Sequence, residues 1–148
     1  MLERMASIRS GIGENMDRYL YKAKRLDNGE WVQGYLFGIW EKRYILWGMT
    51  NDIPNMIEVD PTTICQCTGV KDKNGKLIWE NDIILCKVGT AKVIWNRSEW
   101  RIEWLKNDLW RKDLYYWAVE DIQRTVVIGN IFDNKELLEK EDKDESNY

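Results

Sequence analysis

Cys65, Cys67 and Cys86 form the densest group of nucleophilic or metal-ligating side chains in the chain. Residues two apart on a strand share a face, so Cys65 and Cys67 could aim two thiols at one ion. A tetrahedral zinc site wants four ligands, however, and the sequence holds no histidine to complete one. The thiols therefore read as buried or incidental side chains, and with three of them at least one stays unpaired, which suits a reducing compartment. The missing histidine also removes Ser-His and Cys-His catalysis and the commonest general base near neutral pH. Asp72, Asn74 and Gly75 have residue types that occur in calcium loops, but the bidentate Glu is absent at the required distance. A hairpin turn explains the same residues. Asp82 follows a second tight turn and reads as an acceptor of backbone hydrogen bonds that pins a corner. Without a glycine-rich phosphate loop or a nucleophile elbow, no catalytic, cofactor or metal site is assigned.

The tryptophans are the chemical oddity: nine, with seven Tyr and only two Phe, in 148 residues. Each indole combines a large apolar area with an N–H that wants an acceptor, so several usually stay half exposed or meet a partner. Trp79, Trp95, Trp100 and Trp104 lie in patterned strands and are expected in the core. Trp31, Trp40, Trp47, Trp110 and Trp117 lie near turns or irregular segments and are the candidate interaction surface. Exposed rings beside cations also suit single-stranded nucleic acid, and Lys22, Lys24, Arg25, Arg101, Arg111 and Lys112 could follow phosphates.

Charge argues against that alternative. The net charge of −3 resides in residues 139–148, where Glu139, Glu141, Asp142, Asp144 and Glu145 outnumber Lys140 and Lys143. The remainder is neutral and lacks the field that draws in a phosphate backbone or an anionic membrane. No apolar run approaches the ~18 residues of a membrane helix, and Glu3 and Arg4 stand where a secretion signal becomes apolar. A cytoplasmic location is expected.

The elements that must position these residues are strands. Asp27-Asn28-Gly29 separates Tyr19–Leu26 from Trp31–Trp40, and the latter run carries Gly34 and Gly38, which within a strand suggest a bend or bulge. Tyr44–Trp47, Met56–Val59 and Ile64–Val70 follow, the first two separated by a polar loop and the last two by Asp60-Pro61. Asn74-Gly75 between apolar runs is the strongest turn signal, leading to Leu77–Trp79, Ile83–Val88 and Ala91–Trp95. Glu99–Leu105 alternates with Trp100, Ile102 and Trp104 on one face, the period of a half-buried strand. Residues 109–119 could form a short helix or a strand, and aromatic and β-branched content favours the strand; Thr125–Phe132 reads as a buried strand. Asp133 and Glu136 resemble a capping box for one or two helical turns over residues 134–139. Short strands with turns between them predict an all-β chain, a small barrel with an added N-terminal β segment and a short C-terminal helix. Residues 1–18 read as a loose extension, with Met16 an alternative start; 19–138 as one β domain; and 139–148 as a disordered acidic tail.

The motif order carries a resemblance. The segments from Glu58 to Ile64, Thr68-Gly69-Val70-Lys71-Asp72-Lys73-Asn74-Gly75-Lys76, Ile78 to Ile84 and Val127-Ile128-Gly129-Asn130-Ile131-Phe132-Asp133-Asn134 resemble the YopX family of phage and prophage proteins. Asn81 stands where that family commonly has glycine, and Cys65 and Cys67 replace a glycine and an aromatic residue. The resemblance implies a mainly β fold with an SH3-like barrel, here over residues 64–133, and neither an established enzymatic activity nor a cofactor. Asp72, Asn74, Gly75, Asp82, Gly129 and Asn130 are its candidate structural residues. The expected role is non-enzymatic binding of protein, by self-association or to a host or phage partner, with nucleic-acid binding as the alternative and no membrane role.

Overall fold

In a computed structural model, residues 17–106, 108–120 and 125–138 are described. The expectations for an N-terminal extension, a start at Met16 and an acidic tail over 139–148 lie outside them, except that Asp17–Tyr19 forms one 3-10 turn. The chain is all-β, with two antiparallel sheets, and divides into two compact units, Met1–Gly69 and Val70–Tyr148.

The first unit holds β1 (Tyr21–Lys24), β2 (Trp31–Ile39), β3 (Lys42–Thr50), β4 (Ile53–Val59) and the start of β5 (Cys65–Lys71). Consecutive hairpins place the strands in the order β4-β3-β2-β1-β5. Period-2 alternation turns Ala23, Ile45 and Val59 to one face, where Tyr21, Val32, Leu36, Ile57 and Ile64 pack around them. Asp60 caps the short turn Pro61–Thr63 by accepting the Thr62 backbone N–H at 3.0 Å. Buried Thr63 accepts the Lys24 N–H at 2.8 Å and donates to the Asp60 carbonyl at 2.8 Å, so its hydroxyl is satisfied.

In the second unit β5 turns through Asp72 and Lys76 into β6 (Leu77–Trp79), followed by β7 (Asp82–Cys86), β8 (Gly89–Asn96), β9 (Glu99–Trp104) and β10 (Val126–Asn130). The four-stranded sheet runs β10-β7-β8-β9. Its core is Ile78, Ile84, Cys86, Ala91, Val93, Ile102, Leu114, Trp117 and Ala118. Ile102 is buried, with Trp100 and Trp104 packed beside it, as the alternation of β9 predicts. Among the described residues no sheet closes on itself, so β9 and β10 end an open sheet where a barrel would join them. Residues 135–138 form the short helix after β10.

Three segments differ from their sequence assignments. The buried strand expected over Thr125–Phe132 is the edge strand β10, Val126–Asn130, with Ile128 36 % exposed. Pro54 and Asn55, expected in a polar loop, belong to β4. The third is the segment before residue 121. Within residues 109–119, where aromatic content favours a strand over a short helix, Tyr116 opens a π-helical turn, Tyr116–Glu120. Asp113 Oδ2 accepts the Tyr116 N–H at 3.1 Å, the bond of an N-terminal cap. Leu114, Trp117 and Ala118 are buried at i, i+3 and i+4, a helical stripe that aromatic content had obscured.

Candidate functional site

The outer face of the first unit's sheet is built by register. Tyr35 pairs with Leu46, and Leu46 with Met56; next to them Phe37 pairs with Tyr44. Residues opposite one another share a face, so these side chains stand away from Ala23, Ile45 and Val59. Phe37 and Tyr44 stack at 5.2 Å, while Tyr35 and Met56 are exposed. The β3–β4 register shifts between Leu46 and Gly48, making Trp47 the extra residue of a bulge, 51 % exposed. Leu20, Gln33, Gly34, Tyr35, Leu46, Trp47, Gly48 and Met49 line a cavity of about 430 Å³ there. Trp31 is half-buried, with the Lys22 and Lys24 ammonium groups 4.6 and 5.4 Å from its ring. Trp40 occupies the β2–β3 turn with φ 54° and is 89 % exposed.

The other two candidate tryptophans belong to the second unit and behave oppositely. Trp110 is 85 % exposed, whereas Trp117 is only 7 % exposed and belongs to the core. That corrects the placement of Trp117 on a surface: the π turn swings its ring inward, where it meets Trp104 edge-on at 5.2 Å and donates its N–H to the Arg111 carbonyl at 3.1 Å. Trp95, assigned to the core, is 52 % exposed. It pairs with Trp100 next to the Asn96–Glu99 hairpin turn, and the two rings meet edge-on at 5.0 Å.

The motif residues Asp72, Asp82 and Asn130 accept backbone hydrogen bonds. Asp72 is buried; its Oδ1 accepts the Asn74 and Lys76 N–H groups, both at 2.9 Å, and its Oδ2 accepts the Val127 N–H at 3.0 Å. Burial pushes its pKa up, but the N–H donors of Val127, Lys76 and Asn74, with the Lys76 charge, outweigh that and hold the carboxyl below its ordinary value. Both oxygens face the protein's own backbone, so a cation would have to displace these bonds. Gly75 completes the turn at φ 78°. Asp82 Oδ2 accepts the Trp79 N–H at 2.8 Å. At the other motif the Asn134 side chain accepts the Asn130 N–H at 3.0 Å, and Asn130 Oδ1 accepts the Phe132 and Asp133 N–H groups at 2.9 Å. A Cβ at Gly129 would overlap that Asn134 side chain.

Cys65, Cys67 and Cys86 are buried thiols, and among the described residues no group of three His, Cys, Asp or Glu could hold a metal ion. Arg25, Arg101, Arg111 and Lys112 are paired with Asp27, Glu99, Asp113 and Asp108 at 2.6–2.7 Å. Among the described residues no helix is long and apolar enough to cross a membrane.

An all-β chain of two antiparallel sheets, whose motif residues clip turns to strands, is the class of protein these observations define. The sequence model described as YopX protein matches residues 20–139, and the chain belongs to the YopX family. No curated protein matches it. Among solved structures, the crystal structure of protein EF1440 from Enterococcus faecalis is similar at a TM-score of 0.50 and 20 % identity, over 80 % of this chain and 96 % of that one; the likeness is one of fold.

Proposed function

We propose that the chain is a non-enzymatic accessory protein of phage or prophage origin that acts in the cytoplasm of a bacterial host by binding protein through an aromatic-rich surface. Membership of the YopX family supports the accessory role. The observation that carries the binding role is the outer face of the first sheet, where Tyr35, Leu46, Trp47, Met49 and Met56 leave apolar surface in water around a cavity. Contiguous apolar patches on a folded surface mark interaction sites, and aromatic anchors in pockets carry most of an interface's energy. Between Tyr44 and Ile57 the only charged side chain is Asp52, which suits a neutral protein partner better than a phosphate backbone.

The test is capture by the immobilised full chain from lysate of a phage-infected host, beside a Trp47→Ser/Met49→Ser variant. A partner retained by the first and lost by the second is expected. A strictly monomeric protein that retains nothing overturns the reading. Nucleic-acid binding is the second reading, favoured by the two lysines over Trp31 and opposed by the pairing of the other four candidate cations. Its signature is quenching of tryptophan fluorescence by single-stranded DNA or RNA that weakens as salt rises. An SH3-like barrel over residues 64–133 belongs to the same proposal. In its support, β7, β8 and β9 form a meander and β10 returns beside β7, although the sheet is open.

A further inference from the structure

We propose that Asn74 is a modification site: the Gly75 nitrogen displaces its side-chain amide, and the aspartate and isoaspartate that result loosen the hydrogen-bonded clip formed by Asp72. The chain holds two Asn-Gly pairs, Asn28-Gly29 and Asn74-Gly75, both exposed in hairpin turns. A glycine has no side chain to shield its nitrogen from the preceding carboxamide, and around Gly75 nothing lies within 4 Å of where a Cβ would stand. In the reaction the Gly75 nitrogen loses its proton and bonds to Asn74 Cγ, the Cγ–Nδ2 bond breaks, and ammonia leaves. Water then opens the cyclic imide at either carbonyl. One opening gives aspartate; the other gives isoaspartate, whose backbone runs through the former side chain.

The structure separates the two pairs. Each glycine N–H is held by a backbone carbonyl, Gly29 by Arg25 at 2.9 Å and Gly75 by Asp72 at 3.0 Å, so the two nucleophiles start alike. The carboxamides differ. Asn28 Oδ1 accepts the Glu30 N–H at 2.9 Å, and its Nδ2 donates to Glu30 Oε2 at 3.4 Å. Among the described residues no hydrogen bond holds the Asn74 carboxamide, which is free to turn its Cγ toward Gly75. Charge separates the pairs further, because the attack builds negative charge on the nitrogen and then on the amide oxygen. Asp27 and Glu30 flank Asn28-Gly29 and oppose that charge, whereas Lys73 and Lys76 flank Asn74-Gly75 and stabilise it. The Asp72 carboxylate beside the second turn is already directed at the N–H groups of Asn74, Lys76 and Val127.

Position gives the conversion its consequence. Isoaspartate adds one carbon to the backbone between Asn74 and Gly75, inside the turn that carries Lys76 back to Asp72. There the Lys76 N–H reaches Asp72 Oδ1 at 2.9 Å and the Lys76 carbonyl accepts the Asp72 N–H at 2.8 Å. A lengthened turn displaces Lys76, and the carboxylate that also holds Val127 loses a donor.

The test is peptide mass mapping of the full chain, sampled over time in warm, mildly alkaline buffer, with an isoaspartate methyltransferase to mark the isomer. Asn74 is expected to convert about tenfold faster than Asn28, the factor that one net hydrogen bond on a carboxamide is worth. An Asn28 that converts as fast as Asn74 overturns the site, as does a folded chain whose Asn74 stays intact under conditions that convert it in urea. Loosening is read in the urea midpoint, which is expected to fall as isoaspartate accumulates and to hold steady in an Asn74→Gln protein aged alongside. Asn74→Asp adds the charge without lengthening the backbone and is expected to lower the midpoint by less. A midpoint unchanged after full conversion overturns the loosening.

Discussion

The Asp72 Oδ2 atom accepts the backbone N–H of Val127 at 3.0 Å, across 55 residues of sequence. The other oxygen of the same carboxylate closes the turn after β5, so one buried side chain clips that hairpin to the last strand. A carboxylate turned onto backbone donors holds structure rather than running a reaction.

Asp72→Asn puts an amide N–H₂ against one of these donors and leaves at least one buried N–H without an acceptor. The expected loss is about 2–4 kcal/mol, read in urea or thermal denaturation, with a melting point lower by roughly 5–15 °C. A loss under about 0.5 kcal/mol would show that the clip contributes nothing.

The same residue sets an acid limb. Because its folded pKa lies below the ordinary 3.8, Asp72 contributes stability that is complete above the unfolded value and is lost as pH falls through the folded one. Urea midpoints measured downward from neutral pH are expected to fall more steeply for the wild type than for Asp72→Ala. Parallel curves would assign the acid limb to other carboxylates.

Gly129→Ala tests a close approach. The added methyl meets the Asn134 side chain, which also accepts the Asn130 N–H, so the expected cost is about 1–3 kcal/mol. In an Asn134→Ala background the same change is expected to cost less, with a coupling above about 0.5 kcal/mol in the double-mutant cycle. Additive effects would place the strain elsewhere.

Two tryptophans that look alike in sequence are expected to diverge. Trp40→Ala removes a ring that is 89 % exposed and should change stability by no more than about 0.5 kcal/mol. Trp117→Ala opens a cavity in the core and should cost about 3–5 kcal/mol. Equal effects in chemical denaturation would contradict the burial pattern.

How much of this was legible in the sequence follows the range of the signals. Hairpin turns were legible because Asn74-Gly75 and Asp27-Asn28-Gly29 supply backbone conformations within a few residues. The inward row of β9 was legible because alternation is local. The turn over Tyr116–Glu120 was half written: Asp113 and the spacing of Leu114, Trp117 and Ala118 carry it, but aromatic content competes for a strand. Asp82 could be read as a pin, whereas the pairing of Asp72 with Val127 could not, since nothing local links residues 55 apart.

By itself, then, the sequence determined an all-β chain without histidine chemistry, its turns, most of its strands and the YopX motifs. Only the tertiary structure decided which rings face water. Alternation states which side chains share a face, not which face another element covers. Trp117 went inward because a π turn carried it onto Trp104, Trp95 stayed half exposed at a hairpin end, and Trp110 kept its ring in water beside a cavity. The sheets' open edges were decided there too, because whether a last strand closes on a first depends on twist and pairing summed over the whole sheet.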